Sequence, residues 1–264
     1  MPTDGWLWTV SFTLHSEHLI SPQPVGSMTR TPHDATPRPW RSRFARLHPK
    51  AYLGLHAAGG ALIIIALVWL FLAIADEIPE QSTLARMDTM VQHFLQTHGT
   101  EVGETIFFGV SYFGAPVLFV AVVATVLWFA WRRDWQRAGA LALTSGSGVA
   151  LSNVLKMVFH RGRPETATEF ITRHTWSFPS GHAMNSMISY GFLALLLLEF
   201  VTGRRERIAV VVLTVVLIAA IGFSRLYLGV HYLSDVGGGW IAGAAWLVVC
   251  ASGYRFAQGR LSSR

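Results

Sequence analysis

The chain has 264 residues, of which 52% are hydrophobic and only 14% charged, with a mean hydropathy of +0.40. That is too oily for an ordinary soluble domain, whereas ten Trp and a formal charge of +6 suit a membrane protein, because Trp gathers at bilayer interfaces and Lys/Arg collect on the cytoplasmic side. The one cysteine, Cys250, has no intrachain partner, which excludes a disulfide framework and leaves it as a packing residue.

Residues 1–50 hold seven of the eleven Pro, end in RPWRSRFARLHPK and show no sustained periodicity, which predicts a disordered, basic, Pro-rich cytoplasmic tail. Met28 is an alternative start. The apolar patch from Trp6 to Ile20 is not expected to be a signal peptide, since no basic residue precedes it and His15, Glu17 and His18 interrupt it. Six apolar runs follow, roughly 52–75, 106–131, 138–159, 182–202, 207–228 and 233–254. A bilayer core of about 30 Å needs about 20 helical residues, so each run can span it. The predicted fold class is all-α: a six-span transmembrane helical bundle over 51–256, with a short C-terminal tail at 257–264. Gly114 and Pro116 interrupt the second run, so that span is expected to begin near Ala115 with Pro in its first turn.

Fifteen of the twenty-one Lys and Arg lie in the N-terminal tail, in RRDWQR (132–137), in GRRER (203–207) and after Tyr254. The positive-inside rule makes that side cytoplasmic, with both termini inside a plasma (inner) membrane. The connections 76–105, 160–180 and 229–232 then face outward. Within the first of them, Leu84, Met87, Met90, Val91, Phe94 and Leu95 recur at helical spacing, which predicts an amphipathic helix on the outer leaflet. It either guides a lipid tail or merely connects two spans.

Three clusters of unusual residues fall at one membrane depth in this topology: Lys156–Pro164 (KMVFHRGRP), Pro179–His182 (PSGH) and Ser224–Asp235 (SRLYLGVHYLSD). Ionised groups at such depth are costly unless paired or functional, and Lys156, Arg163 and Arg225 together call for an anion. An Arg fork matches phosphate oxygens and Lys adds a point charge. Ser180 with the Gly181 and His182 amides forms a helix N-terminus suited to phosphate, and Gly181 allows close backbone approach. His231 and Asp235 are four residues apart, on one helical face. A carboxylate at one imidazole nitrogen fixes the tautomer and leaves the other nitrogen as nucleophile or base, with His182 free to be the acid.

Lys-x6-Arg-Pro, Pro-Ser-Gly-His and Ser-Arg-x5-His-x3-Asp, in this order, resemble the three signature motifs of the type 2 phosphatidic acid phosphatase (PAP2) superfamily. They are separated by 14 and 41 residues. The resemblance covers residues 52–254. It implies that His231 is a nucleophile forming a phosphohistidine, that Asp235 orients it, and that His182 protonates the leaving oxygen and then activates water. It further implies that Lys156, Arg163, Ser180, Gly181 and Arg225 hold the phosphoryl oxygens, and that no metal or other cofactor is needed. The expected partners are the bilayer and a membrane lipid phosphate or diphosphate, such as phosphatidate, phosphatidylglycerol phosphate or undecaprenyl diphosphate; no nucleic acid is expected.

Each residue also has a plainer reading. Lys156 taken alone is a snorkelling lysine, Arg163 a loop charge and His231 an interfacial histidine. A zinc site built from His182, His231 and Asp235 is the rival chemistry, opposed by three neighbouring cations and by the lack of HExxH-type spacing. His160, Arg161 and His174 lie near the motifs but outside them, with His160 read as a solvated loop residue. The alternative function is a non-catalytic phospholipid-binding or transport protein, which loss of either His or Asp235 would have favoured.

Overall fold

The structure, a computed structural model, describes residues 49–78, 82–165 and 175–261. The predicted tail lies outside the described residues except for Pro49 and Lys50, which already belong to the first helix, and His174 also lies outside them. The described helices are α1 (Pro49–Asp76), α2 (Thr83–His98), α3 (Glu101–Tyr112), α4 (Pro116–Trp131), α5 (Trp135–Phe159), α6 (Gly181–Phe200), α7 (Arg204–Tyr227) and α8 (Leu233–Leu261). Among the described residues, six stretches are long and apolar enough to cross a membrane: Ala58–Asp76, Glu101–Trp131, Trp135–Phe159, Gly181–Phe200, Arg204–Tyr227 and Leu233–Gly259. Over its described residues the chain is an all-α membrane protein with six candidate spans.

Two predicted boundaries shift, each for a local reason. The second span starts at Glu101 rather than near 106 or 115. Thr100 caps it, its Oγ1 accepting from Gly103 N at 3.1 Å, and Glu101 and Glu104 suit the positive end of the helix. Pro116 does open a helix, as expected, but it opens α4, the second half of a broken span. The last helix runs to Leu261 rather than ending near 254. Gln258 Nε2 donates to Tyr254 Oη at 2.7 Å and to Glu199 Oε1 at 3.3 Å, tying the extra turn to the end of α6.

The bundle is arranged around α6, which packs against α5, α7 and α8, while α8 also packs against α1 and α2. Large apolar side chains such as Leu62, Trp69, Phe119 and Leu213 face outward, and Ser152, Ser186, Ser189 and Ser224 are buried between helices. This reversal of the soluble pattern fits lipid as the solvent, where small residues let helices approach. Gly239 and Gly243, one turn apart on α8, make the approach to α6. A Cβ on Gly239 would stand 2.8 Å from the Ser180 carbonyl, and one on Gly243 would stand 2.8 Å from that of Met184. The site end of the bundle is filled by Phe71, which stacks on Phe178 at 5.4 Å, and by Phe159, which meets Phe178 edge-on at 5.1 Å.

The α2 helix is the predicted amphipathic element. Ser82 caps it, accepting from Ala85 N at 2.9 Å. Leu84, Asp88, Val91 and Leu95 turn inward, whereas Met87, Met90 and Phe94 are exposed. Because a Cβ on Gly243 would meet the Met184 carbonyl as well as the Met187 side chain, and the carbonyl cannot swing aside, Gly243→Val should overpack the α6–α8 contact and cost about 1–3 kcal/mol. A lowered thermal unfolding midpoint in detergent would show this, and an unchanged midpoint would contradict the close approach.

Candidate active site

The three sequence clusters meet at one end of the bundle, where α5 and α7 end and α6 and α8 begin. After Phe159 the backbone enters the left-handed region at His160 (φ 47°), which closes α5 with a bond from His160 N to the Lys156 carbonyl. α5 leads into the 160–165 segment, and residues 175–180 lead into α6. Ser177 N donates to Arg161 O at 2.8 Å, and Lys156 Nζ donates to Trp176 O at 2.9 Å, so the segment after residue 174 is stitched to both. His160 is exposed, with its ring edge-on to Trp176, in keeping with a loop residue.

His231 and Asp235 form the centre. Leu228 to Tyr232 make a tight connection between α7 and α8, with Gly229 at φ 65°, a conformation that suits Gly. His231 Nδ1 lies 3.2 Å from Asp235 Oδ2, and its Nε2 lies 3.2 Å from Arg163 Nη1. The tautomer consistent with both contacts has Nδ1–H donating to the carboxylate and the Nε2 lone pair facing Arg163. Arg163 is itself fixed by carbonyls and a hydroxyl: Nη1 donates to Val230 O at 2.7 Å, and Nη2 donates to Thr175 Oγ1 at 2.9 Å.

Around this pair stand the remaining predicted residues. Ser180 N donates to the Asp235 carbonyl at 2.9 Å, which sets the first turn of α6 against the first turn of α8. Its Oγ is buried and has no partner among the described residues. A Cβ on Gly181 would lie 3.7 Å from Lys156 Cε, which shows how closely the helix start approaches the lysine. Arg225 Nη1 donates to Ser111 Oγ, and its buried Nε is unpartnered among the described residues. His182 lies against Gly114, where an added Cβ would stand 2.7 Å from the imidazole Cδ2. Lys156, Arg163, His182, Arg225 and His231 are close enough to feel one another's charge.

Burial sets the electrostatics. It pushes His231 down to about 4 against the opposing pull of Asp235, so the imidazole is neutral near pH 7. Burial likewise lowers Arg163 from the ordinary guanidinium value. Arg161 goes the other way, because Asp235 and Asp88 outweigh the desolvation that would lower it. Among the described residues, no group of three or more His, Cys, Asp or Glu could hold a metal ion. Three converging cations beside a neutral imidazole, with an unpartnered hydroxyl and guanidinium nitrogen, can instead receive an oxyanion and present a nitrogen lone pair to it.

Several participants escaped the sequence reading. Arg161 was set outside the motifs, yet its Nη1 donates to Asp235 Oδ1 at 2.7 Å and its Nη2 to Asp88 Oδ2 at 2.7 Å. Ser177 Oγ donates to Asp235 Oδ2, and Ser111 holds Arg225. Ser111 and Gly114 come from the break in the second span, where the sequence reading saw only an interrupted run. Asp88 did carry a signal: it is the carboxylate in the inward stripe Leu84, Asp88, Val91, Leu95 of an amphipathic helix.

The profile of the PAP2 superfamily matches residues 137–258, from the first turn of α5 into the last turn of α8. Phosphatidylglycerophosphatase B of Bacillus subtilis (strain 168) is 32% identical over 140 residues, covering 51% of this chain and 67% of that protein. The chain belongs to the PAP2 superfamily. Another PAP2 relative, the decaprenylphosphoryl-5-phosphoribose phosphatase of Mycobacterium tuberculosis, is 34% identical over 142 residues, 52% of this chain and 72% of its own. Among solved structures, that of the first transmembrane PAP2 type phosphatidylglycerolphosphate phosphatase from Bacillus subtilis superposes with a TM-score of 0.62 at 26% identity. It covers 71% of this chain and 94% of that chain. The PAP2 profile takes in Lys156, Arg163, Ser180, Gly181, His182, Arg225, His231 and Asp235, while α2, Ser111 and Gly114 lie before it.

The burial of His231 can be tested directly. In histidine-labelled protein in detergent, the NMR resonance that disappears in His231→Ala should titrate near pH 4; a midpoint near the ordinary 6.5 would contradict the burial described.

Proposed function

We propose that this PAP2 protein is a membrane lipid phosphatase that hydrolyses a phosphomonoester or diphosphate of a lipid through a phosphohistidine, without a metal. The observation that carries the reading is the His231 imidazole, neutral by burial, with Nδ1 on Asp235 and Nε2 turned to the Arg163 guanidinium.

In the first step, Nε2 of His231 attacks phosphorus and the bond to the lipid oxygen breaks, the leaving oxygen taking a proton from His182. The N–H held by Asp235 supports the positive charge that develops on the ring. In the second, His182 takes a proton from water as its oxygen bonds to phosphorus, the N–P bond breaks and inorganic phosphate leaves. Charge spreads over the phosphoryl oxygens throughout. Lys156, Arg163 and Arg225, the Ser180 hydroxyl and the first-turn amides at Gly181 and His182 oppose it.

The substrate class rests on location and kinship. A phosphate site at one end of a lipid-embedded bundle suits a headgroup reached from the bilayer, and the relatives' names refer to a phosphatidylglycerol phosphate and a decaprenyl phosphoribose compound. Phosphatidate, phosphatidylglycerol phosphate and undecaprenyl diphosphate remain the substrates to compare. The basic connections 132–137 and 203–207 lie at the opposite end from the site, which supports cytoplasmic termini and a site facing outward from the plasma membrane.

Purified protein should release phosphate from at least one of these lipids in EDTA. His231→Ala should abolish release, and His182→Ala should lower it by about 10²–10⁴-fold with the helical fold retained. Full turnover in His231→Ala would overturn the mechanism. A reporter joined after Arg264 should read cytoplasmic; a signal from the other side would reverse the orientation.

A further inference from the structure

Arg161 and Asp88, which the mechanism above does not use, join Asp235 and Ser234 in a buried charge cluster. Asp88 is 2% exposed and Asp235 0%. Arg161 donates from Nη2 to Asp88 Oδ2 at 2.7 Å, and from Nη1 both to Asp235 Oδ1 at 2.7 Å and to Ser234 Oγ at 2.6 Å. Asp88 Oδ1 accepts the Ser234 backbone N–H at 2.8 Å, and Oδ2 accepts the Ser234 hydroxyl. The guanidinium lies 4.3 Å from the centroid of the Tyr232 ring.

We propose that Asp88 and Arg161 are positioning residues of the active site and that α2 is therefore one of its walls, holding the Asp235 carboxylate and the first turn of α8 in register with His231. The inference rests on His231 and Asp235 being the reacting pair.

The two oxygens of Asp235 divide the work. Oδ2 accepts from His231 Nδ1, Ser177 Oγ and Tyr232 N, whereas Arg161 holds Oδ1. A carboxylate shut off from water rotates or takes up a proton when a donor is removed, and either change releases the imidazole from its orientation. Asp88 acts one link further out. It caps the Ser234 amide, which at the start of α8 has no partner within the helix, and it supplies the second anion that keeps Arg161 between two carboxylates. The connection between the first two spans is thus neither a passive linker nor only a membrane surface element.

The experiment uses the full chain in detergent with the best lipid of the panel and compares Asp88→Asn, Arg161→Gln and the double variant with wild type. Each single variant should lower kcat about 10–100-fold with KM within about threefold, because Lys156, Arg163, Ser180 and Arg225 are untouched; figures of this size follow loss of groups that orient reacting residues. The double variant should be no worse than Arg161→Gln, as expected for members of one network.

The pH profile separates positioning from mere stability. His231 faces Asp235 on α8, Arg163 on the 160–165 segment, Arg225 on α7 and His182 on α6, with Lys156 of α5 beyond, and these are the same in every variant. Removing the Arg161 cation leaves Asp235 a stronger attractor of the His231 proton, so the acid limb should move to higher pH. Removing the Asp88 anion leaves Arg161 less neutralised, so the limb should move to lower pH. Arg161→Lys should restore the limb but not the full kcat, since one ammonium cannot bridge both carboxylates in the same geometry.

Unchanged kcat in folded variants would overturn the proposal. So would losses that track a lowered unfolding midpoint with superimposable pH profiles. Ser234→Ala removes one contact to Asp88 and one to Arg161, leaving their direct ion pair, and should stay folded with a smaller loss in kcat; full activity there counts against the proposal. If His231→Ala retains turnover, the phosphohistidine reading fails by itself. The NMR midpoint of His231, read without turnover, still decides whether Asp88 and Arg161 act on that ring.

Discussion

A fully buried carboxylate, Asp235, is the constraint on which the rest of the site depends. Its backbone carbonyl takes the Ser180 amide, and its two oxygens take Arg161, Ser177, His231 and the Tyr232 amide. These donors come from the 160–165 segment, from residues 177–180 and from the turn that leads into α8. A charge so far from water is tolerable only when every lone pair is met, so the satisfaction of Asp235 and the convergence of these segments are one condition. Lys156 and Arg163 are secured in turn by the carbonyl of Trp176, within the same stretch of chain as Ser177.

This convergence requires helices that come close at one end of the bundle. Gly239 and Gly243 let α8 approach the α6 backbone, and the apolar cluster of Phe71, Phe159 and Phe178 fills the space beside them. Several small polar side chains are buried and many large apolar ones face outward, so hydrophobic burial alone does not set the helix register. Small residues and specific hydrogen bonds do so instead. The catalytic pair proposed here therefore sits on a frame specified by contacts of short reach.

The parts legible in the sequence were those whose signal is local. A run of about twenty apolar residues announces a span wherever it occurs, and all six spans were found this way. Lys156, Arg163, Arg225, His182 and His231 were conspicuous because charge and imidazole are expensive at the ends of oily segments. Arg161 looked like one more charge in a basic loop, and only the fold shows it between carboxylates 73 and 74 residues away. Ser111 and Ser177 are too ordinary to stand out, since a serine declares its role only through its partner. The start of the second span and the end of the last were missed because a threonine cap and a Tyr254–Gln258–Glu199 contact, rather than hydropathy, set those boundaries.

The distance in sequence between Arg161 and Asp235 also bears on how the protein is made. The 74 residues separating them take about 4–15 s to synthesise at ordinary rates, and Asp88 emerges another 73 residues earlier. During that interval Asp88 and Arg161 have each other but lack the carboxylate and serine that complete their shell. The early spans thus carry a polar cluster that only the arrival of α8 can close. Insertion of α8 is therefore the step that closes this shell, so a chain stalled before α8 would be marked by its own unsatisfied charges.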